Sequence, residues 1–144
     1  MNNLEFRYFD SVGKFFQYSS QFDWPDNFSK LEKFFSMASR YANGVVQQYT
    51  GLTDSTGKKI FEGDIIKWDD ASNGKYWRVS QVIWHERGSW CFRIIPNKSV
   101  NCFPHGRTND FMMGNFIYSP NPNEYGNVLQ VIGNIFETPE LLKL

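Results

Sequence analysis

Val45-Val46-Gln47-Gln48-Tyr49-Thr50, then Gly51-Leu52-Thr53-Asp54-Ser55-Thr56-Gly57-Lys58-Lys59, then Ile60-Phe61-Glu62-Gly63-Asp64-Ile65-Ile66-Lys67-Trp68, is the stretch whose reading decides the fold. Its first piece alternates with a period of two, the mark of a strand with one buried face. Its middle is turn-rich, with glycines where a left-handed backbone is needed and Asp and Thr side chains able to bond nearby backbone N–H groups. Gly63-Asp64 then opens a short apolar strand over 65–68. Two strands within about twenty residues, separated by tight turns, predict bent antiparallel sheet rather than alternating strands and helices.

Working outward, Leu4, Phe6 and Tyr8 share one face at period two and predict a strand over 4–9 with those three side chains buried. Asp10-Ser11-Val12-Gly13 is a turn, and Lys14 to Tyr18 returns as the second strand of a hairpin. Residues 19–27 read as a connection. The period then changes. Phe28, Leu31, Phe34, Phe35, Ala38 and Tyr41 fall three and four apart, one face of a helix over 27–41. Asp26 or Asn27 can cap its start, and Asn43-Gly44 supplies a left-handed stop. Residues 76–84 and 89–95 predict a hairpin around Glu86-Arg87-Gly88-Ser89. The stretch 96–127 is rich in Pro, Asn and Gly, with a short apolar piece at 111–118. It is too long for an ordinary connection and predicts a functional loop or a partner-dependent arm. Val128 to Phe136 is a last strand, and Thr138-Pro139-Glu140 opens a terminal helical stub.

The fold class expected is therefore mainly β with one inserted helix: a small SH3-like barrel with an N-terminal hairpin, whose closure removes exposed edges. A chain of 144 residues fits a single domain, 1–144, and can build a core without metals or disulfides. Hydrophobic residues make up 41% and charged residues 21%, a globular balance. Aromatic residues reach 18%, which suits pleated, half-buried surfaces. Lys+Arg and Asp+Glu are both 15, so nothing draws the whole molecule to nucleic acid or anionic membrane, and such binding needs a local patch. No basic apolar leader, membrane-spanning run or cysteine framework is present, so a cytoplasmic protein without membrane association is expected.

Three segments carry a resemblance. Gln48 to Asp54 followed by Gly57 to Ile66, and the C-terminal Val131-Ile132-Gly133-Asn134-Ile135-Phe136-Glu137-Thr138-Pro139-Glu140-Leu141-Leu142, resemble the central signature and the ending of the YopX-like family. Phe6-Arg7 with Asp10 and Lys14 is similar to the family's opening hairpin. The resemblance covers about half the chain. It implies a phage- or prophage-encoded protein acting in the bacterial host cell, an SH3-type barrel, and a tendency to form homo-oligomers. It implies no activity. The chain departs from the family in having Tyr8-Phe9 where Ala-Trp is usual, and 19–44 and 96–127 match no family pattern.

The signature residues Tyr49, Thr50, Gly51, Leu52, Asp54, Gly57, Ile60, Glu62, Gly63, Asp64, Ile65, Ile132, Gly133, Asn134 and Pro139 read as structural: glycines for turns, Asx groups for backbone N–H. Glu62 and Asp64 are close enough in sequence for acid–base work, but no nucleophile or histidine lies near them. His85, Cys91, Cys102 and His105 are zinc-type ligands at a poor spacing, and the two cysteines sit beside aromatics as small hydrophobes do. No phosphate loop, nucleophile elbow or Cys–His arrangement with an orienting group appears. No catalytic residue, metal or cofactor is assigned, and an enzyme is not expected. The helix's polar face, with Lys30, Glu32, Lys33 and Arg40, is too mixed for a membrane-surface helix.

One asymmetry stands out within a neutral chain. Residues 75–107 hold six basic side chains against the single acid Glu86, interleaved with Trp77, Trp84, Trp90 and Phe103. Small barrels bind single strands by stacking bases on such rings while cations follow the phosphates. Lys75, Trp77, Arg78, Trp84, Arg87, Arg93 and Arg107 are the candidate contacts. The first expectation nonetheless is a non-enzymatic accessory module that binds a phage or host protein and copies of itself. The single-stranded nucleic-acid barrel is the alternative.

Overall fold

The computed structural model describes residues 4–21, 27–69, 77–85, 88–95, 110–112 and 129–142. Strands β1 (Phe6–Asp10), β2 (Phe15–Tyr18), β3 (Gln47–Thr53), β4 (Lys59–Phe61), β5 (Asp64–Asp69), β6 (Trp77–His85), β7 (Ser89–Ile94), β8 (Asp110–Met112) and β9 (Gln130–Asn134) are joined by one helix, α1 (Asn27–Tyr41). Short 3-10 turns occupy Ser19–Gln21 and Pro139–Leu142. The fold is mainly β, with a single α-helix among the described residues. Backbone contacts divide the chain into two compact units, Met1–Tyr49 and Thr50–Leu144, with β3 running from one into the other.

In the first unit, β2, β1 and the start of β3 lie side by side, antiparallel. The Asp10 carboxylate shapes the hairpin turn, accepting from the N–H groups of Val12 (2.9 Å) and Gly13 (2.8 Å), while Lys14 takes φ 60°. Helix α1 lays Phe34 and Ala38, four apart on one face, over Tyr8 of β1, with Phe34 and Tyr8 rings 5.2 Å between centroids. Full burial of a side chain like Phe34 contributes about 1.5–3 kcal/mol. The helix ends as its sequence predicts: Asn43 and Gly44 are left-handed, and both Ala42 and Gly44 return their N–H groups to the Ala38 carbonyl. The N-cap expected at Asp26 or Asn27 lies outside the described residues or side chains.

Three expectations about this unit are corrected. Leu4 is 57% exposed rather than buried, because it precedes β1. Phe35 is 41% exposed, one position round from the Phe34–Ala38 stripe, and Met37 packs against the core instead. The reverse face of β1, expected to be solvated, is buried: Glu5 accepts from Ser20 Oγ (2.7 Å), and Arg7 donates from Nε to Gln47 Oε1 (2.9 Å) with its guanidinium 4.0 Å over the Phe16 ring. The segment read as a plain connection at 19–21 is therefore a cover for β1, and Ser19 Oγ accepts the Phe6 N–H.

Strand β2 is outermost in its sheet, a position that exposes backbone to strand addition. Gln21 closes part of that edge. Its Oε1 accepts the Tyr18 N–H at 2.9 Å and is held by Gln17 Nε2. Gln21→Ala is expected to cost about 1 kcal/mol and to speed hydrogen exchange at the Tyr18 amide selectively. Unchanged protection of that amide in native-state exchange would show that the side chain does not guard the edge.

In the second unit the five-stranded antiparallel sheet runs β8-β7-β6-β5-β9. The rest of β3 lies beside β4 and closes over its concave face, where Ile66, Trp68, Val82 and Phe92 meet Ile60, Leu129 and Leu52. Trp68 Nε1 donates to Ser80 Oγ within this core. The opposite face is also buried: Ile65, Val79 and Ile95 are covered by Ile132, Leu141 and Leu142. Burial on both faces explains why Ile65 and Ile66 are consecutive apolar residues rather than alternating ones. The SH3-like barrel expected from the sequence is met as a curled half-barrel in this unit.

Strand β4 was not among the predicted elements. At three residues it is too short to show a period, and glycine-rich turns flank it. Within the long segment 96–127, read as irregular, Asp110–Met112 form β8 against β7, with Phe92 opposite Phe111. The remainder of that segment lies outside the described residues.

Candidate functional site

The signature residues gather on one corner of the second unit, where the turn after β3 meets the outer edge of β9. Asp54 organises it. Its Oδ1 accepts from the Thr56 N–H (2.9 Å), the Thr56 hydroxyl (2.6 Å) and the Lys58 N–H (2.9 Å), and its Oδ2 accepts the Val131 N–H at 3.0 Å. Ser55 N–H donates to the Leu129 carbonyl beside it. One carboxylate thus builds a tight turn and fastens that turn to β9. Burial acts to raise its pKa, but the hydrogen bonds from Thr56, Val131 and Lys58 outweigh it and hold the carboxyl below the usual carboxylate range.

The neighbouring signature groups are committed in the same manner. Gly57 N–H closes the turn on the Asp54 carbonyl, and Thr50 Oγ1 donates to the Ile60 carbonyl across β3 and β4. Gly51 sits within β3 at φ 91°, a conformation that costs other residues about 1–2 kcal/mol. Gly63, at φ 83°, sends its N–H to the Val82 carbonyl and receives the Ile135 N–H on its own carbonyl, tying β6 and β9 to the turn before β5. Asp64 is 1% exposed and its Oδ2 accepts the Phe61 N–H at 2.8 Å. Glu62 is half-buried in the same turn. The Glu62/Asp64 pair is thus not two carboxylates open to one cleft, since Asp64 is sealed into its turn.

Across the ladder from Asp64 stands Asn134, whose Oδ1 accepts the N–H groups of Phe136 and Glu137 while its own N–H donates to Thr138 Oγ1. Gly133 lies against Thr138 with no room for a Cβ. Pro139 starts the terminal 3-10 turn, and Ile132 packs on the Ile65 cluster that this turn covers. Tyr49 is buried in the first unit, its N–H donated to the Glu5 carbonyl. Leu52 and Ile60 belong to the core. Among these signature residues, those other than Glu62 each have a structural contact or a backbone conformation that places them.

Among the described residues, three of the candidate nucleic-acid contacts, Arg78, Arg93 and Trp84, do not share one exposed face. Arg78 is 2% exposed, on the concave side opposite Trp68 in the ladder, and offers nothing to a ligand in solution. Arg93 is exposed but lies on the opposite face of the β6–β7 hairpin from Trp84, an odd number of residues away in the pairing with Gln81. Trp84 is 52% exposed and stands directly across from Trp90. Lys75, Arg87 and Arg107, together with the Trp77 side chain, lie outside what is described. Of the zinc-type residues, Cys91 is fully buried, while Cys102, His105 and the His85 side chain are also outside. Among the described residues no three His, Cys, Asp or Glu side chains are grouped to hold a metal ion. None of the described helices is long and apolar enough to cross a membrane.

The polar cluster of Arg7, Gln47 and Phe16 was missed from sequence. Nothing in the sequence signals it, because Glu5 and Arg7 keep the alternation with Leu4, Phe6 and Tyr8 and so read as facing solvent.

No curated protein matches the chain significantly. A solved structure, the crystal structure of protein EF1440 from Enterococcus faecalis, is similar over 99% of this chain and 100% of that one, at 21% identity and a TM-score of 0.50. That likeness concerns the fold. The family model described as YopX protein matches residues 3–143, both of the compact units and all of the corner built on Asp54, so the chain belongs to the YopX family.

Proposed function

We propose that this chain is a non-enzymatic phage or prophage accessory module that works by binding protein, including copies of itself, in the cytoplasm of the bacterial host. The observation that carries the reading is where apolar surface meets water. Of the six large hydrophobic side chains exposed among the described residues, Leu4, Val12, Phe15, Phe35 and Val45 belong to the 49-residue first unit. Exposed apolar side chains concentrated in one unit support an interaction surface there. Phe35 reaches to 5.3 Å from the Phe6 ring, and the exposed Leu4 lies two residues before Phe6 in sequence, which supports an apolar strip shared by helix and strand. The plug that Gln21 forms at the edge of β2 favours docking through this side-chain strip over strand addition. The carboxylates Asp10, Asp54 and Asp64 are all engaged with backbone N–H groups, which supports a role in shape rather than chemistry.

Sedimentation equilibrium over a wide concentration range tests this. Wild-type protein is expected to self-associate, and Leu4→Ser with Phe35→Ser to weaken the association at least about tenfold, worth 1.4 kcal/mol, with the circular dichroism spectrum retained. A monomer at every concentration rules out self-association. Association untouched by the double substitution removes the strip as its surface.

A further inference from the structure

We infer that the outward side of α1 is the interface between two copies of this chain, paired antiparallel about Ser36 so that Glu32 of each meets Arg40 of the other. This pairing rests on the reading that the chain self-associates, and it adds the surface, the direction and the register.

Glu32, Lys33, Phe35, Ser36, Ser39 and Arg40 are all exposed on α1, while Phe34 and Ala38 are buried with Tyr8 beneath the helix. Glu32, Ser36 and Arg40 follow one another at a spacing of four and form one row along the helix, with Phe35 and Ser39 in the next row. Side chains four apart are near enough to pair, but at that spacing both charges find only Ser36. Glu32 and Arg40 are themselves separated by about 12 Å of helix. Neither makes an ion pair with a described residue, and Arg40 has only the Tyr41 ring, with its guanidinium 5.5 Å from the centroid. Solvated charge alone would account for that row. It does not account for Phe35, a phenyl ring 41% exposed beside it.

An antiparallel second helix satisfies both. With a two-fold axis at Ser36, two residues come level when they lie equally far from it on opposite sides. Glu32 and Arg40 each lie about 6 Å along the helix from that midpoint. Each carboxylate therefore comes level with the guanidinium of the other copy, and the symmetry makes this pair twice. Lys33 comes level with the uncharged Ser39. Phe35 is the residue next to the midpoint, so the two phenyl rings meet close to the axis and cover each other. Ser36 and Ser39 are small enough to let the two helices approach. A parallel pair would instead set Glu32 against Glu32 and Arg40 against Arg40. The charge pattern thus selects a second copy and fixes its direction.

Charge reversal read by sedimentation equilibrium tests the pairing, with circular dichroism checking that these exposed substitutions leave the fold intact. Glu32→Arg and Arg40→Glu are each expected to weaken self-association about tenfold or more, because like charges then face each other at both ends of the interface. The double reversal, E32R with R40E, is expected to recover the wild-type affinity. An equimolar mixture of the two single variants should also associate, since every level again pairs opposite charges. Two results overturn the pairing while leaving a self-associating module in place: single reversals that associate as tightly as the wild type, and a double reversal no tighter than the singles. A wild-type monomer at every concentration overturns the pairing and the self-association together.

Discussion

Asp54→Ala is expected to lower the stability of the second unit by about 3 kcal/mol or more. The estimate follows from the number of groups left behind. Four donors converge on this carboxylate, three of them backbone N–H groups that cannot turn away: Thr56, Lys58 and Val131. A hydrogen bond to a charged acceptor is worth about 1.5–3 kcal/mol, and a buried donor stranded without a partner costs about 1–3 kcal/mol. These terms overlap, since water can enter a surface turn once the side chain is gone, so the total falls short of their sum. Asp54→Asn is nearly isosteric yet should recover only part of the loss. Its amide must present NH2 either to Val131 N–H or to the Thr56 and Lys58 N–H groups, donor against donor. Urea unfolding followed by tryptophan fluorescence reads both variants. A change within 0.5 kcal/mol for Asp54→Ala, the range of ordinary surface substitutions, would mean that the turn does not fasten β9.

The same carboxylate makes stability depend on acid. Its pKa in the folded chain lies below the unfolded value, because the converging N–H and hydroxyl donors more than offset burial. A depressed folded pKa gives stabilisation that is present above the unfolded carboxyl range, near 4, and is lost as pH falls through the folded pKa. Unfolding midpoints measured from neutral pH down through that range should fall for the wild type. The fall should be shallower for Asp54→Asn, which has no proton to take up there.

Helix α1 was legible to the residue, 27–41, because a 3.6 period sustained over fifteen positions and closed by Asn43-Gly44 has no competing reading. The β6–β7 hairpin was legible for a similar reason: Trp90, Phe92 and Ile94 alternate, and their partners Trp84, Val82 and Ser80 alternate in register. What escaped was set by tertiary cover. Leu4 and Glu5 are adjacent, and periodicity put the apolar one inside; the 3-10 turn at Ser19–Gln21 instead buries Glu5 and leaves Leu4 in water. Arg78 read as a surface cation because arginine is almost never buried, but β6 turns it toward the concave side opposite Trp68. The signature corner was legible in kind, glycines and Asx groups serving turns, but not in geometry. Nothing in the spacing of Asp54 and Val131, 77 residues apart, states that one caps the other.

Gly133→Ala should lower stability by about 2–4 kcal/mol, although it adds a single carbon and the glycine has no left-handed backbone to lose. The cost is steric. A Cβ at this position collides with Thr138 Oγ1 and comes within 3.1 Å of both Thr138 Cβ and Leu141 Cδ1. Rotating Thr138 does not relieve its own Cβ, and it would forfeit the bonds from Asn134 N–H to Oγ1 (2.9 Å) and from Oγ1 to the Asn134 carbonyl (3.0 Å). Moving Leu141 would uncover Ile65, Val79 and Ile95 on the outer face of the sheet. Overpacking of this sort costs about 1–3 kcal/mol, and the displaced hydrogen bonds account for the remainder. A double-mutant cycle separates this from a general intolerance of the site. In a Thr138→Ala background the Oγ1 collision no longer exists and its hydrogen bonds are already lost, so adding Gly133→Ala should cost less than half of what it costs alone. An equal penalty in both backgrounds would place the strain elsewhere, at the register shift between Ile65 and Ile66 where β5 meets β9, and the terminal turn would then be a passive cover rather than the reason for glycine at 133.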